Sequence, residues 1–376
     1  MRTLLRGRVR GMSSATGAVL IDGGIVTWVG EGTPPEHPDE EIVAEDGELI
    51  APGFIDLQVN GYGGYDAATG AAAISAISAA LPATGVTAFL PTLISAPVHE
   101  GAAFVAATEA AAYSPPGARV LGAHLEGPFL NPAFRGAHLA AYLTNATAEN
   151  EEVIVTARPR LVTIAPEVPG ALAAIARFHR EGIVVSAGHT GADFELGRRA
   201  ITAGVRFATH IYNAMPPIHH RQPGIALAMI LDPRVTVGLI ADGEHVHRAV
   251  CEQLVRSKAS SRIALTSDQT SAAGMPPGTY QLSSRQVISD GLVVRLKDGT
   301  LAGSAATMDG LVARMAGLPG MTVSRAIGMA STVPARLLGE HGLGRIGVGA
   351  CADLVILDPN LKVRLTMVQG LIKFRR

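Results

Sequence analysis

Glu126, His189, His210 and Asp268 lie far apart in the chain, yet their side-chain types are the ones best suited to joint chemistry. Two imidazoles and a carboxylate meeting at one point suit a divalent cation that keeps an open position for water. Such a cation lowers the pKa of the water and polarises a carbonyl, and turnover then needs a base to take the water's proton. Asp268 is the candidate base. Its structural alternative is helix capping, because Thr266-Ser267-Asp268-Gln269-Thr270 has the composition of an N-cap. A lone histidine in a chain this rich in Ala and Gly is as readily a satisfied structural residue as a ligand, so the reading depends on all of these residues converging. Residues 209–217, with Arg221 just beyond, combine backbone donors, the Asn213 amide and a guanidinium, a set that can hold a phosphate. The alternative there is a turn at Asn213 and a solvated Arg221.

Something must bring these residues together. Between residue 51 and about residue 340, short apolar runs alternate with Ala-rich helical segments, and the runs number eight: 53–59, 86–91, 120–125, 161–165, 183–187, 206–209, 235–241 and 263–266. Helices are expected in the intervening stretches, including 71–83, 98–112, 171–181, 193–203 and 247–258. Strands buried on both faces and joined by helices require a parallel sheet, and eight of them close into a (β/α)8 TIM barrel, with a doubly wound open sheet as the alternative. Barrel active sites lie at the C-terminal ends of the strands. The residues placed there are Gln58 and Asn60, His124 and Glu126, His189, His210, Asp242 and His245, and Asp268. The long irregular stretch 126–145 follows the third run, and a loop of that length in a compact domain is more often functional than accidental.

Both ends of the chain read differently. Residues 18–29 form a hairpin pattern around Asp22-Gly23-Gly24, and 352–357, 363–367 and 371–374 repeat the short-strand style. The expected fold class is therefore α/β, a TIM barrel over 52–340 with a small β-sandwich domain built from 1–51 and 341–376. Lys+Arg of 31 against Asp+Glu of 32 leaves no surplus cation for counterion release, which argues against nucleic acid as a partner. The apolar stretch 71–81 is shorter than the roughly 20 residues of a membrane span and runs into Pro82, so no membrane partner is expected. Arginines interrupt the N-terminal segment, which lacks a signal peptide's apolar core. Cys251 and Cys351 form no CxxC, and a cytoplasmic location is expected.

Taken together, PGFID at 52–56 with Asn60-Gly61, HLEGPFLNP at 124–132, RGAH at 135–138, VSAGH at 185–189, ATHIYNAMP at 208–216, IADG at 240–243 with His245, and LAGS at 301–304 carry a resemblance over essentially the whole chain. The sequence resembles the N-acetylglucosamine-6-phosphate deacetylases of the amidohydrolase superfamily. PGFID is shared widely in that superfamily, whereas HLEGPFLNP and THIYNAMP are distinctive of the deacetylases.

The resemblance implies a metal-dependent hydrolase that removes the N-acetyl group of N-acetylglucosamine 6-phosphate, with metal-bound water as nucleophile. By the same likeness Glu126, His189 and His210 match the metal ligands, Asp268 the acid/base, and His138 the histidine that polarises the acetyl carbonyl, with Ala137 beside it. Asn213, Ala214, Arg221 and His245 match sugar-phosphate contacts, and Leu301, Ala302 and Gly303 lie in a loop that closes over the sugar. A homodimer is implied, with part of the phosphate site supplied by the neighbouring subunit. Gln58 and Asn60 stand where many amidohydrolases carry a His-x-His pair, so one divalent ion per subunit is expected, zinc first, with iron, nickel, cobalt and manganese also accepted by such ligands. The rival readings are an amidohydrolase for another substrate, such as N-acetylgalactosamine 6-phosphate or a cyclic amide, and a non-catalytic homologue that binds an amino-sugar phosphate.

Overall fold

The computed structural model describes residues 1–14 and 16–376. Each apolar run forms a strand: Phe54–Val59, Val86–Ile94, a third in two pieces (Arg119–Val120 and His124–Glu126), Leu161–Ile164, Val184–Ala187, Val205–Ala208, Thr236–Leu239 and Ile263–Leu265. Successive strands pair in parallel from the first to the eighth. The crossovers that parallel pairing requires carry the helices, among them Val98–Ala112, Ala171–Arg180, Phe194–Ala203 and Arg248–Ser257. Leu57, Leu90, Leu161, Phe207 and Ala264 pack against Val333 and Leu338 of the late helix Thr332–Leu338, apart from the larger core beneath the outer helices.

The barrel's seam, between the eighth strand and the first, is thin. A single bridge joins Val59 to Gln269, and the Asn60 and Gly61 N–H groups donate to the Gln269 carbonyl at 2.9 and 3.1 Å. A side chain supplies the rest: the fully buried Asp56 carboxylate accepts the Ser267 N–H at 3.1 Å and the Ser267 hydroxyl. The seam therefore lies directly beneath Asn60 and Asp268, two residues of the barrel mouth.

Strands from both termini form a separate eight-stranded sheet. Thr3–Val9 pairs with Gly17–Asp22 and Glu40–Val43 through its first part and with Leu49–Pro52 through Arg8 and Val9, which passes the sheet to the C-terminal strands Leu354–Leu357, Val363–Val368 and Leu371–Arg375. Leu5, Val19, Ile42, Ile50, Leu354, Ile356 and Leu365 form its core, so the two ends of the chain stabilise one unit. Arg119 at the third barrel strand meets the buried Asp353 at 2.9 Å and ties this unit to the barrel.

One element was not expected. After the eighth strand the chain forms a four-stranded antiparallel sheet: Gly278–Leu282, Arg285–Ser289, Val293–Arg295 and Leu301–Ser304. Leu301, Ala302 and Gly303 thus belong to a strand rather than a loop, because alternate side chains (Leu282, Val287, Val294, Ala302) bury against Ile94 and Ala137. Gly303, at φ 64°, is where a side chain would collide: an added Cβ would lie 2.7 Å from the Asp268 carbonyl.

Burial pushes the Asp56 carboxyl up to about 6, against the lowering effect of the Ser267 hydrogen bonds. A carboxyl whose folded pKa is raised binds a proton more tightly in the native state. The stability it contributes is complete below the unfolded pKa and is lost as pH rises through about 6. Asp56→Asn keeps an acceptor for the Ser267 N–H and has nothing to titrate. Urea unfolding of the two proteins between pH 4 and 7 should show the parent losing about 2 kcal/mol relative to the variant over that range, and parallel curves would show that Asp56 stays ionised.

Candidate active site

At the C-terminal mouth of the barrel a cavity of about 390 Å³ is lined by Glu126, His138, His189, His210, His245 and Asp268, together with Asn60, Ala137, Asn213, Ala214, Leu301 and Gly303. Glu126, His138, His189, His210 and Asp268 are each 8% exposed or less. Three of them reach the cavity through unusual backbone: His189, His210 and Asp268 have φ of 49°, 27° and 50°. Each follows the end of its strand, and the left-handed turn swings the side chain across the mouth instead of along the strand. Gly188 permits the first of these turns, since a Cβ there would lie 2.5 Å from the Thr209 methyl.

The Glu126 carboxylate is the centre. Its Oε1 lies 3.0 Å from His210 Nε2 and 3.4 Å from His189 Nε2, and the two imidazole nitrogens are 3.0 Å apart. Ligands held about 2.0–2.1 Å from a tetrahedral zinc are separated by about 3.3 Å, so this triangle has the size of one face of such a shell. The orientation of the His189 ring agrees. His189 Nδ1 pairs with the Phe134 carbonyl at 2.9 Å, which places the proton on Nδ1 and leaves the Nε2 lone pair facing inward. The donor set therefore fits a divalent cation.

His138 is oriented the other way. The Ser95 backbone N–H donates to His138 Nδ1 at 3.0 Å, so the ring proton sits on Nε2, which faces Glu126 Oε2 at 3.6 Å. Glu126, His138 and His189 also satisfy the spacing of a metal-binding cluster. A protonated Nε2 suits a hydrogen-bond donor better than a ligand, and the His189–His210–Glu126 triangle is tighter. Burial drives the His138 imidazole down to about 4, which keeps this donor neutral at pH 7.

Burial alone would push the Glu126 carboxyl up, but the three facing imidazoles hold it well below the usual carboxylate range. Asp268 goes the opposite way: burial first and the Glu126 charge second hold its proton above that range. Two carboxyls in one cavity are thus driven apart in acidity, the pattern that separates an anionic ligand from a proton-transfer group. Asp268 caps no helix.

Gln58 and Asn60 support these two acids. Gln58 Nε2 donates to Glu126 Oε1 at 2.9 Å, and Asn60 Nδ2 donates to Asp268 Oδ1 at 2.7 Å. His124 bonds Thr163 Oγ1 at 2.8 Å and the Leu57 carbonyl at 3.2 Å inside the barrel, and it does not line the cavity. His245 pairs with Asp242 at 2.7 Å, and this interaction outweighs burial to raise the imidazole's pKa.

Two expected site residues lie elsewhere. Arg221 is exposed beyond Pro216-Pro217, where its Nη1 bonds His220 Nε2 at 2.8 Å, and it lines a separate cavity of about 810 Å³ with Phe194 and His219. Ala302 is wholly buried behind the cavity wall. Ser95, Phe134 and Asp242 orient site histidines; the sequence placed Asp242 at the rim but singled out neither Ser95 nor Phe134. Ser95 follows the end of the second strand, a position the barrel rule marks.

Residues 49–373 match the Amidohydrolase family. The chain belongs to the amidohydrolase family. It is 38% identical over 335 residues to an N-acetylgalactosamine-6-phosphate deacetylase of Escherichia coli O157:H7, covering 88% of this chain and 89% of that one. It is 37% identical to an N-acetylglucosamine-6-phosphate deacetylase of Danio rerio, covering 91% of each. Among solved structures it superposes with a TM-score of 0.92, at 33% identity and 99% coverage of both chains, on an N-acetyl-D-glucosamine-6-phosphate deacetylase from Mycobacterium smegmatis, an aspartate-to-alanine variant in complex with N-acetyl-D-glucosamine-6-phosphate.

If Asp268 is the proton-transfer group, Asp268→Asn should lower kcat by about 10²–10⁴ with metal content unchanged. A variant that binds metal and turns over at near the parental rate would remove Asp268 from the chemistry.

Proposed function

We propose that this amidohydrolase hydrolyses the N-acetyl group of N-acetylglucosamine 6-phosphate to glucosamine 6-phosphate and acetate. The observation that carries the reading is the Glu126–His189–His210 triangle opening on a cavity that also holds Asp268 and a protonated His138 Nε2. The names of the relatives supply the substrate class.

In this reading Glu126, His189 and His210 hold one divalent ion, zinc first. When bound, the ion supplies Lewis-acid polarisation of the acetyl carbonyl and a water of lowered pKa. Asp268, held by Asn60, takes a proton from the attacking water and returns it to the sugar nitrogen as the C–N bond breaks. His138 donates its Nε2–H to the carbonyl oxygen as negative charge develops there, and Ser95 keeps that proton in place. His245, the Asn213 amide and the Ala214 backbone face the anionic end of the substrate, and Leu301 and Gly303 cover the sugar.

The exposed position of Arg221 suits a phosphate contact made across a homodimer interface, which we include in the proposal. A cytoplasmic location, also part of the proposal, rests on the two free cysteines. No helix among the described residues is long and apolar enough to cross a membrane.

N-acetylgalactosamine 6-phosphate is the alternative substrate: the Escherichia coli relative is named for it, while the Danio rerio relative and the Mycobacterium smegmatis structure are named for the gluco epimer. Acetate release should be measured with both phosphorylated epimers, with unphosphorylated N-acetylglucosamine, and after chelation. The expected result is faster turnover of the gluco epimer, loss of activity on chelation with recovery on adding zinc, and a 10- to 100-fold fall in kcat/KM without the phosphate, the worth of charge-assisted hydrogen bonds at about 1.5–3 kcal/mol. Preference for the galacto epimer would establish the alternative, and indifference to phosphate would refute both.

A further inference from the structure

His189 does not hold its own position. Its backbone lies in the left-handed region, φ 49°, a conformation that is strained for a non-glycine residue and persists only where neighbours enforce it. The enforcing contacts lead to one carboxylate. Glu167, three residues past the end of the fourth barrel strand, accepts the Thr190 hydroxyl at 2.5 Å and the Gly191 N–H at 2.5 Å, the two residues that follow His189. Its Oε1 also accepts Asn131 Nδ2 at 2.8 Å. Asn131 in turn donates its backbone N–H to the His189 carbonyl at 3.0 Å and starts the short turn Pro132–Phe134, whose last carbonyl accepts His189 Nδ1–H. Loops after the third, fourth and fifth strands therefore meet at Glu167, and the peptide and ring of His189 are gripped from both sides.

We propose that Glu167 is a positioning residue for His189, fixing the strained turn that aims its Nε2 and thereby setting the affinity of the site for its cation. All three partners of Glu167 are neutral donors, so the carboxylate is not committed to a salt bridge with them. Its function is geometric. An orienting hydrogen bond behind a metal-ligating imidazole is commonly worth roughly 10- to 100-fold in metal affinity. Glu167 acts one step further out, on the ligand's backbone and on the loop that orients its ring.

The inference rests on the reading of Glu126, His189 and His210 as cation ligands, and the test separates the two. Zinc affinity of the full-length protein is measured by competition with a chromophoric chelator for the parent, Glu167→Ala and Glu167→Gln, alongside the thermal midpoint of each apoprotein. Glu167→Ala should weaken zinc binding roughly 10- to 100-fold. Glu167→Gln retains an acceptor for Asn131 Nδ2 and the Gly191 N–H and should recover most of that loss. kcat at saturating zinc should fall less than the affinity does. Parental zinc affinity in both variants, whatever happens to the apoprotein midpoint, would overturn the proposal and leave Glu167 a purely structural tie. A parent protein that takes up no zinc, iron, nickel, cobalt or manganese would overturn the cation reading, and this inference with it.

Discussion

A buried carboxylate faced by two imidazole nitrogens, with 3.0–3.4 Å between the three atoms, is an arrangement that cannot stand alone. The desolvation cost of the Glu126 charge requires a positive partner, and two nitrogens pointing at each other across 3.0 Å repel unless something positive lies between them. A proton can satisfy one pair of atoms; a divalent cation satisfies all three. The barrel mouth is organised to keep this triangle from relaxing. Gln58 fixes one oxygen of Glu126, the Phe134 carbonyl fixes the His189 ring, and the fully buried Thr209 hydroxyl engages the far end of Gln58.

The electrostatics of the second acid follow from the first. Because Glu126 must remain anionic, Asp268 in the same cavity carries the burden of like-charge repulsion as well as burial, and its proton is held more tightly. Asn60 opposes this by donating to one oxygen, leaving the other free for substrate. A group that must first accept and then return a proton functions best when neither form is overwhelmingly favoured. The Gln58/Asn60 pair, at the end of the first strand, gives each carboxyl its own amide donor, Gln58 to Glu126 and Asn60 to Asp268.

The architecture was legible because burial on both faces leaves a signature that needs no partner to be read: eight apolar runs became eight strands, and the hairpins at both ends paired into one sheet. The second run, 86–91, ends at Pro91, yet the strand continues to Ile94 and so brings Ser95 to the rim. The sheet over 278–304 was missed for a different reason. Its strands are short and bury only one face, and its apolar positions acquire meaning only through Ile94 and Ala137, distant in sequence. Of the site, Glu126, His189, His210, His245 and Asp268 could be read from type and position, whereas His138, within the long loop after the third strand, came only from the family resemblance. The residues that aim them (Ser95, Phe134, Glu167) act through backbone atoms or through hydrogen bonds between loops, and no local pattern records such contacts.

That inserted sheet also explains how a cover over the cavity and a donor within it can stay in register. Arg285, on its second strand, donates to the Ala137 carbonyl at 2.9 Å, immediately before His138. Ala137 itself packs into the apolar cluster beneath the sheet. At the other end, the Ser304 N–H bonds the Asp268 carbonyl at 2.8 Å, so the same sheet is anchored on both sides of the cavity, beside the neutral donor and beside the acid. Leu301 and Gly303 sit between those anchors on the cavity wall. A shift of the cover would therefore carry His138 and Asp268 with it, which keeps the two proton-bearing groups in a fixed relation to whatever the wall holds in place.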